Sequence, residues 1–247
     1  MRRILAVAGF GMAMAAGANP APAQVPPKQA AVLQVPEFPR QFVGLPEFVT
    51  ATGKQTGATA FVTKTADGQF WLLSARHRLN GLDPASVKGV FFKSFVGAPP
   101  LSLDVAVFPV ALPAGTPTTA PLADLLAFRV ATFPPDESMP LAAADPAVGD
   151  NVWIVARMKS DTPDSRPLHA ARVSAAPKGD ASQWLVADFY DPAIESWGSG
   201  GAPVLNAKGE IVGIHSVHRD VDGKTQALII PVSLIRQVLG VPAPAAN

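Results

Sequence analysis

Three segments, in chain order, carry residues that can do chemistry together. His77 ends the apolar run Leu72-Leu73-Ser74-Ala75-Arg76. Asp104 stands immediately before Val105-Ala106-Val107. Gly198-Ser199-Gly200-Gly201 follows Trp197 and leads into Ala202-Pro203-Val204. An imidazole near neutral pKa can take a proton and return it. A carboxylate on the ring's other nitrogen fixes the tautomer and stabilises the charged form. Asp104 suits that role, because an acid beside an apolar strand needs a partner if it is buried. The glycines allow a sharp bend in which amide N–H groups converge on an oxyanion.

The elements around these residues read as strands. Thr59-Ala60-Phe61-Val62-Thr63 and Phe70-Trp71-Leu72-Leu73 flank the turn Ala66-Asp67-Gly68, which predicts a hairpin. Short apolar runs recur at Val90-Phe91-Phe92, Val105-Ala106-Val107-Phe108, Val152-Trp153-Ile154 and Trp184-Leu185-Val186. Val204-Leu205 and Ile211-Val212-Gly213-Ile214 flank the turn Ala207-Lys208-Gly209, and Ala227-Leu228-Ile229-Ile230 follows Asp222-Gly223. Short strands between evenly spaced turns predict a sandwich or barrel. Helix signals are few. Ser233 is placed to cap a short terminal helix holding Leu234, Ile235, Val238 and Leu239, which Gly240 and Pro242 stop. Residues 120–130 have room for one or two further helical turns.

The order of histidine, aspartate and glycine-rich loop, across residues 56–239, resembles the chymotrypsin/trypsin-like serine proteases. The chain is also similar to that family's disulfide-free bacterial branches, the glutamyl endopeptidases and the high-temperature-requirement periplasmic proteases. Those share a Gly-Ile strand, here Gly213-Ile214, and an Ile-Pro entering a last helix, here Ile230-Pro231. The resemblance implies an all-β fold of two antiparallel six-stranded β-barrels with a short C-terminal helix. It implies His77 as the base, Asp104 as the acid that orients it, and Gly198 and Gly200 as oxyanion donors. The stretch between His77 and Asp104 is short for the family, so a trimmed first barrel is expected.

The family's nucleophile loop reads Gly-x-Ser-Gly-x-Pro, then two apolar residues and a turn. Laid without a gap on Gly198, Gly201, Pro203, Val204 and the Gly209-Glu210 turn, it puts Gly200 at the nucleophile position. Ser199 falls on the variable position before it. Base, acid and oxyanion loop are then kept and the attacking hydroxyl is missing. In the other register Ala202 is an insertion and Ser199 is the nucleophile. That needs a slip of one residue, about 3.8 Å along the chain, where errors of about 1 Å already cost rate. The resemblance also places Gly213, His215 and Ser216 at the primary specificity pocket. Glutamyl endopeptidases use a histidine there, so His215 is expected to favour Glu or Asp in a bound peptide, with Ser216 as a second donor.

Composition narrows the remaining classes. The 247 residues carry 20 basic and 19 acidic side chains, no Cys, and 48% apolar residues. Without Cys there is no disulfide, thiolate metal site or Cys nucleophile. The balanced charge, with no Lys/Arg run, gives no electrostatic footprint for nucleic acid. Four scattered histidines without paired spacing predict no metal site, and no cofactor motif is present. His169 is expected at the surface, and His218 with Arg219 in a solvated loop.

Arg2 and Arg3, the apolar run from Ile4 to Ala18 and Ala21-Pro22-Ala23 read as a signal peptide over 1–23, and so as export to a periplasm or beyond. The run is shorter than the roughly 20 residues of a spanning helix, and no membrane span is expected in the mature chain. A Pro/Ala-rich leader follows over 24–40, then a first barrel over 41–113, a second barrel with the helix over 114–240, and a tail over 241–247. Three functions remain open: a pseudoprotease that binds a peptide or protein, an endopeptidase using Ser199 with His77 and Asp104, and a barrel whose triad-like residues never meet.

Overall fold

Eight strands build the first half of the molecule, and their burial pattern shows why. In β5 (Val87–Ser94), Val87, Val90, Phe92 and Ser94 are buried while Lys88, Phe91 and Lys93 are exposed, the alternation of a strand with one wet face. β4 (Phe70–Ala75) is buried along nearly its whole length and is a central strand, hydrogen-bonded to β3 (Ala60–Lys64) on one edge and β8 (Leu125–Val130) on the other. The computed structural model describes residues 33–242 except 97–98, 113, 135–137, 163–164 and 178–182. The expected signal segment, most of the leader and the end of the tail lie outside the described residues.

The first sheet adds β1 (Val43–Thr50), β2 (Gly53–Thr56), β6 (Leu101–Leu103) and β7 (Val105–Phe108). Its path runs β6-β5-β1-β3-β4-β8-β7, with β2 hairpinned onto β1. The two ends of that path, β6 and β7, are separated in sequence by Asp104 alone. One bent strand therefore serves both edges, and the sheet comes nearly full circle into a barrel. Phe48, Phe61, Leu72, Leu73, Phe92 and Phe128 fill it, all with no exposed surface.

The second barrel is closed in the order β10-β11-β14-β13-β12-β9. Its strands are β9 (Asn151–Ile154), β10 (His169–Ala175), β11 (Leu185–Phe189), β12 (Pro203–Leu205), β13 (Ile211–Val221) and β14 (Lys224–Pro231). Ile154, Leu185, Val204 and Ile229 are among its core. Both barrels are antiparallel throughout their ladders, and the expected all-β class with one short terminal helix holds.

The details differ from expectation in four places. Residues 125–130 are strand β8 of the first barrel, preceded by a single 3₁₀ turn, Pro121–Asp124. The first barrel thus extends past residue 113, since β8 pairs with β4 and β7. The last part of the leader is docked: Pro36 is buried and its carbonyl accepts from Arg166 at 3.3 Å. The terminal helix α1 (Val232–Leu239) begins two residues earlier than expected, and Ser233 caps nothing in it. Instead the Ser233 amide and hydroxyl both donate to Asp145, at 2.9 and 2.7 Å.

Candidate functional site

β4 ends at Ala75, which pairs with Leu125 at the start of β8. The antiparallel ladder thereby sets the residues just beyond each end side by side. Those are the 3₁₀ turn Arg76–Leu79, which holds His77, and Asp124, the last residue of its own 3₁₀ turn. The His77 amide donates to Asp124 Oδ1 at 2.8 Å, and Nδ1 of the ring lies 2.9 Å from Oδ2. A third donor comes from the second barrel, where the Ser216 hydroxyl on β13 also donates to Oδ2. Burial alone would raise the Asp124 carboxyl. The bonds from the His77 ring and Ser216, the His77 charge and the His77 amide together outweigh it and hold the carboxyl below its ordinary value. An ionised Asp124 accepts the Nδ1–H, which leaves Nε2 of His77 with the lone pair of a base.

Asp104, expected in that place, lies elsewhere. It sits at the corner between β6 and β7, exposed, and its carbonyl accepts from the Ala131 amide at 3.1 Å. Val105 pairs with Val130, the far end of β8 from Leu125. Five residues of strand at about 3.3 Å each put roughly 17 Å between Asp104's corner and Asp124's end. The Asp104 side chain makes no hydrogen bond or ion pair among the described residues. His77 and Asp104 do not meet; His77 and Asp124 do.

The glycine loop enters from the second barrel and is tied to the first. The Thr59 hydroxyl donates to the Gly198 carbonyl at 2.8 Å, and the Thr59 amide to the Gly200 carbonyl at 3.1 Å. Gly198 (φ +100°) and Gly201 (φ +89°) hold backbone conformations that L side chains rarely adopt. A Cβ on Gly198 would stand 2.6 Å from the Arg157 carbonyl oxygen, and one on Gly201 would overlap the Thr59 carbonyl oxygen and Ser74 Oγ. Both positions therefore demand glycine.

Gly200 is different, because its φ lies outside that region. A Cβ built there points at the imidazole, 3.0 Å from His77 Nε2 and 3.0 Å from Arg78 Cδ. The backbone admits a side chain facing the base, and the sequence supplies none. Ser199 does not take its place. It is buried, and its hydroxyl donates to the Ser196 carbonyl.

The two amides expected to meet an oxyanion are free of internal acceptors. The Ser199 carbonyl turns inward, onto the Ala202 amide at 2.9 Å and His215 Nδ1 at 3.2 Å. In a planar trans peptide the Gly200 N–H then points the opposite way. The Trp197 carbonyl likewise accepts from Lys159 at 3.0 Å, which turns the Gly198 N–H away from Lys159. Neither N–H has an acceptor among the described residues.

A cleft of about 340 Å³ opens here, bordered by His77, Arg78, residues 196–200 and 215–218. His215 lies at its base, fully buried, and burial above all lowers its pKa to about 4. A carbonyl oxygen only accepts, so the contact with Ser199 places the single proton of neutral His215 on Nδ1. Nε2 is then a lone pair, buried and without a partner among the described residues. At neutral pH that geometry offers an acidic side chain no donor. Ser216, expected as a second donor to substrate, spends its hydroxyl on Asp124. Gly213 lies in the barrel wall, where a Cβ would stand 2.6 Å from the Ile230 carbonyl oxygen, and it does not border the cleft. On the rim, Trp197 is 65% exposed and meets the ring of His218 edge-on at 6.0 Å.

The other histidine expectations change too. His169 is not a surface residue; its ring is mostly buried, with Nε2 3.2 Å from Asp161 Oδ2 and 3.1 Å from the Ala156 carbonyl. His218 and Arg219 belong to β13 rather than to a loop. Asp124 is the partner of His77 that the sequence alone concealed, and its only signal is a carboxylate placed just before a strand able to pair with β4. Neither models of known protein families nor curated proteins match this chain.

Proposed function

We propose that this protein is a trypsin-like serine protease homologue that has lost its nucleophile and binds an extended peptide without cleaving it. The observation that carries the reading is the Cβ position of Gly200, 3.0 Å from His77 Nε2. The base is oriented, the Gly198 and Gly200 amides have no acceptor among the described residues, and the atom that would attack a carbonyl is absent. Without it the covalent route is closed, and removal of a nucleophile from such a set costs on the order of a million-fold in turnover.

Peptide binding is supported by the edge of β13. The strand pairs with β12 only as far as Ile214 but continues to Val221 along β14. Residues 216–221 thus keep one edge unpaired among the described strands. An extended chain can add to that edge with main-chain hydrogen bonds. Val217, 40% exposed, and Trp197 offer apolar contact beside it.

The test is Gly200→Ser with a fluorophosphonate probe. The natural chain stays unlabelled. Gly200→Ser becomes labelled at residue 200, once the flexible Arg78 side chain yields a few tenths of an ångström, and His77→Ala in that background abolishes the label. A folded Gly200→Ser protein that stays inert, or labelling of Ser199 in the natural chain, overturns the reading.

A further inference from the structure

Arg78 has no role in proton transfer, yet it closes on the same spot. Its Cδ lies 3.0 Å from the Gly200 Cβ position, and it is half-buried. Its guanidinium makes no ion pair and no hydrogen bond among the described residues. Burial draws it below its ordinary pKa, and Asp124, the nearby carboxylate, partly restores it. That carboxylate is already occupied by His77 and Ser216. Among the described residues no acidic side chain borders the cleft, whereas His77, Arg78 and His218 do. With no side chain at Gly200, Arg78 packs close against the loop that carries the two unpaired amides.

We infer that this part of the cleft receives the free carboxyl terminus of a peptide, held by the amides of Gly198 and Gly200 and by the guanidinium of Arg78. The inference rests on the reading of the cleft as a peptide site and names what that site selects. A guanidinium and two N–H groups without internal acceptors match the planar, two-oxygen charge of a carboxylate. An acidic side chain deeper in the cleft finds the His215 lone pair instead. A peptide lying on the free edge of β13 and ending beside His77 brings its terminal carboxylate to the unpaired donors. A serine at position 200 would press on Arg78 Cδ and His77 Nε2, each 3.0 Å from its Cβ; glycine does not.

Two measurements on the full chain test this. The first titrates ¹⁵N-labelled protein with sodium acetate against sodium chloride at constant ionic strength. Saturable shifts at the Gly198 and Gly200 amides with acetate alone, lost in Arg78→Ala, are expected. Their absence overturns the inference. The second offers a pool of N-acetylated octapeptides, made once as free acids and once as carboxamides. The acids are expected to bind at least tenfold tighter, with the advantage lost in Arg78→Ala and partly kept in Arg78→Lys. Equal binding of both forms overturns the carboxylate site and leaves the peptide reading standing. Binding of acetate with capture of neither peptide form overturns the chain-end assignment together with the peptide reading.

Discussion

The Ser216 hydroxyl, on β13 of the second barrel, donates to the same Oδ2 of Asp124 that faces the His77 ring in the first. The carboxylate is therefore both the orienter of the imidazole and a polar tie between barrels. Asp124→Ala strips an acceptor from three donors. The expected loss is about 2–3 kcal/mol, discounted because the His77 ring is about one-third exposed. Asp104→Ala, at an exposed corner, is expected to change stability by no more than about 0.5 kcal/mol. Urea denaturation of the two variants checks both, and a reversed ranking would return Asp104 to the site.

His215 makes stability depend on pH. Folded His215 is neutral down to about pH 4, while unfolded histidine protonates near 6.5. Between those values the unfolded chain binds more protons, so stability falls as pH falls. The depressed pKa corresponds to about 3 kcal/mol lost across that window. The charges of His218 and His77 act on His215 in the same direction as burial. His215→Gln keeps a donor for the Ser199 carbonyl and removes the titration. Its stability, measured from pH 7.5 to 4.5, is expected to fall less steeply than that of the natural chain. Parallel slopes would show that His215 does not carry the dependence.

Gly201 has no tolerance. A methyl group there meets the Thr59 carbonyl oxygen and Ser74 Oγ, with the backbone at φ +89°. Gly201→Ala is expected to cost more than about 3 kcal/mol or to prevent folding. Gly68→Ala, at a turn with open space around it but also at positive φ, should cost about 1 kcal/mol. Thermal melts of the pair separate the overlap from the backbone strain common to both.

Trp197 is the exposed anchor on the cleft rim. Trp197→Ala is expected to weaken capture of the octapeptide pool about tenfold or more while changing the melting temperature little, since the side chain is mostly in solvent. Unchanged capture would place the peptide on another face.

Much of this fold is legible in the sequence. The hairpin of β3 and β4 follows from two apolar runs about Asp67-Gly68, and five of the six strands of the second barrel fall where short runs alternate with turns; β10, with its mixed polar run, does not stand out. His77 and the glycine loop are also legible, because a strand end and a Gly-rich bend are local features. Asp124 is not, because its role depends on the pairing of Ala75 with Leu125, which local pattern does not encode. Asp104 imitates it: an acid before Val105-Ala106-Val107 looks buried, but the chain turns at that residue and leaves it in water. The same long-range pairing moves β8 out of the second barrel, where a linear division of the chain would put it. The tautomer of His215 was equally hidden, since it follows from the inward turn of the Ser199 carbonyl.

Asp104 is a hinge of one residue between β6, laddered to β5, and β7, laddered to β8. A frame shift of one position there would invert every side chain of β7, sending Val105 outward and Ala106 inward. Sliding of one seam drags the other with it, so neither rim can slip alone. The hinge also denies neighbouring molecules the long bare strand that invites stacking into aggregates.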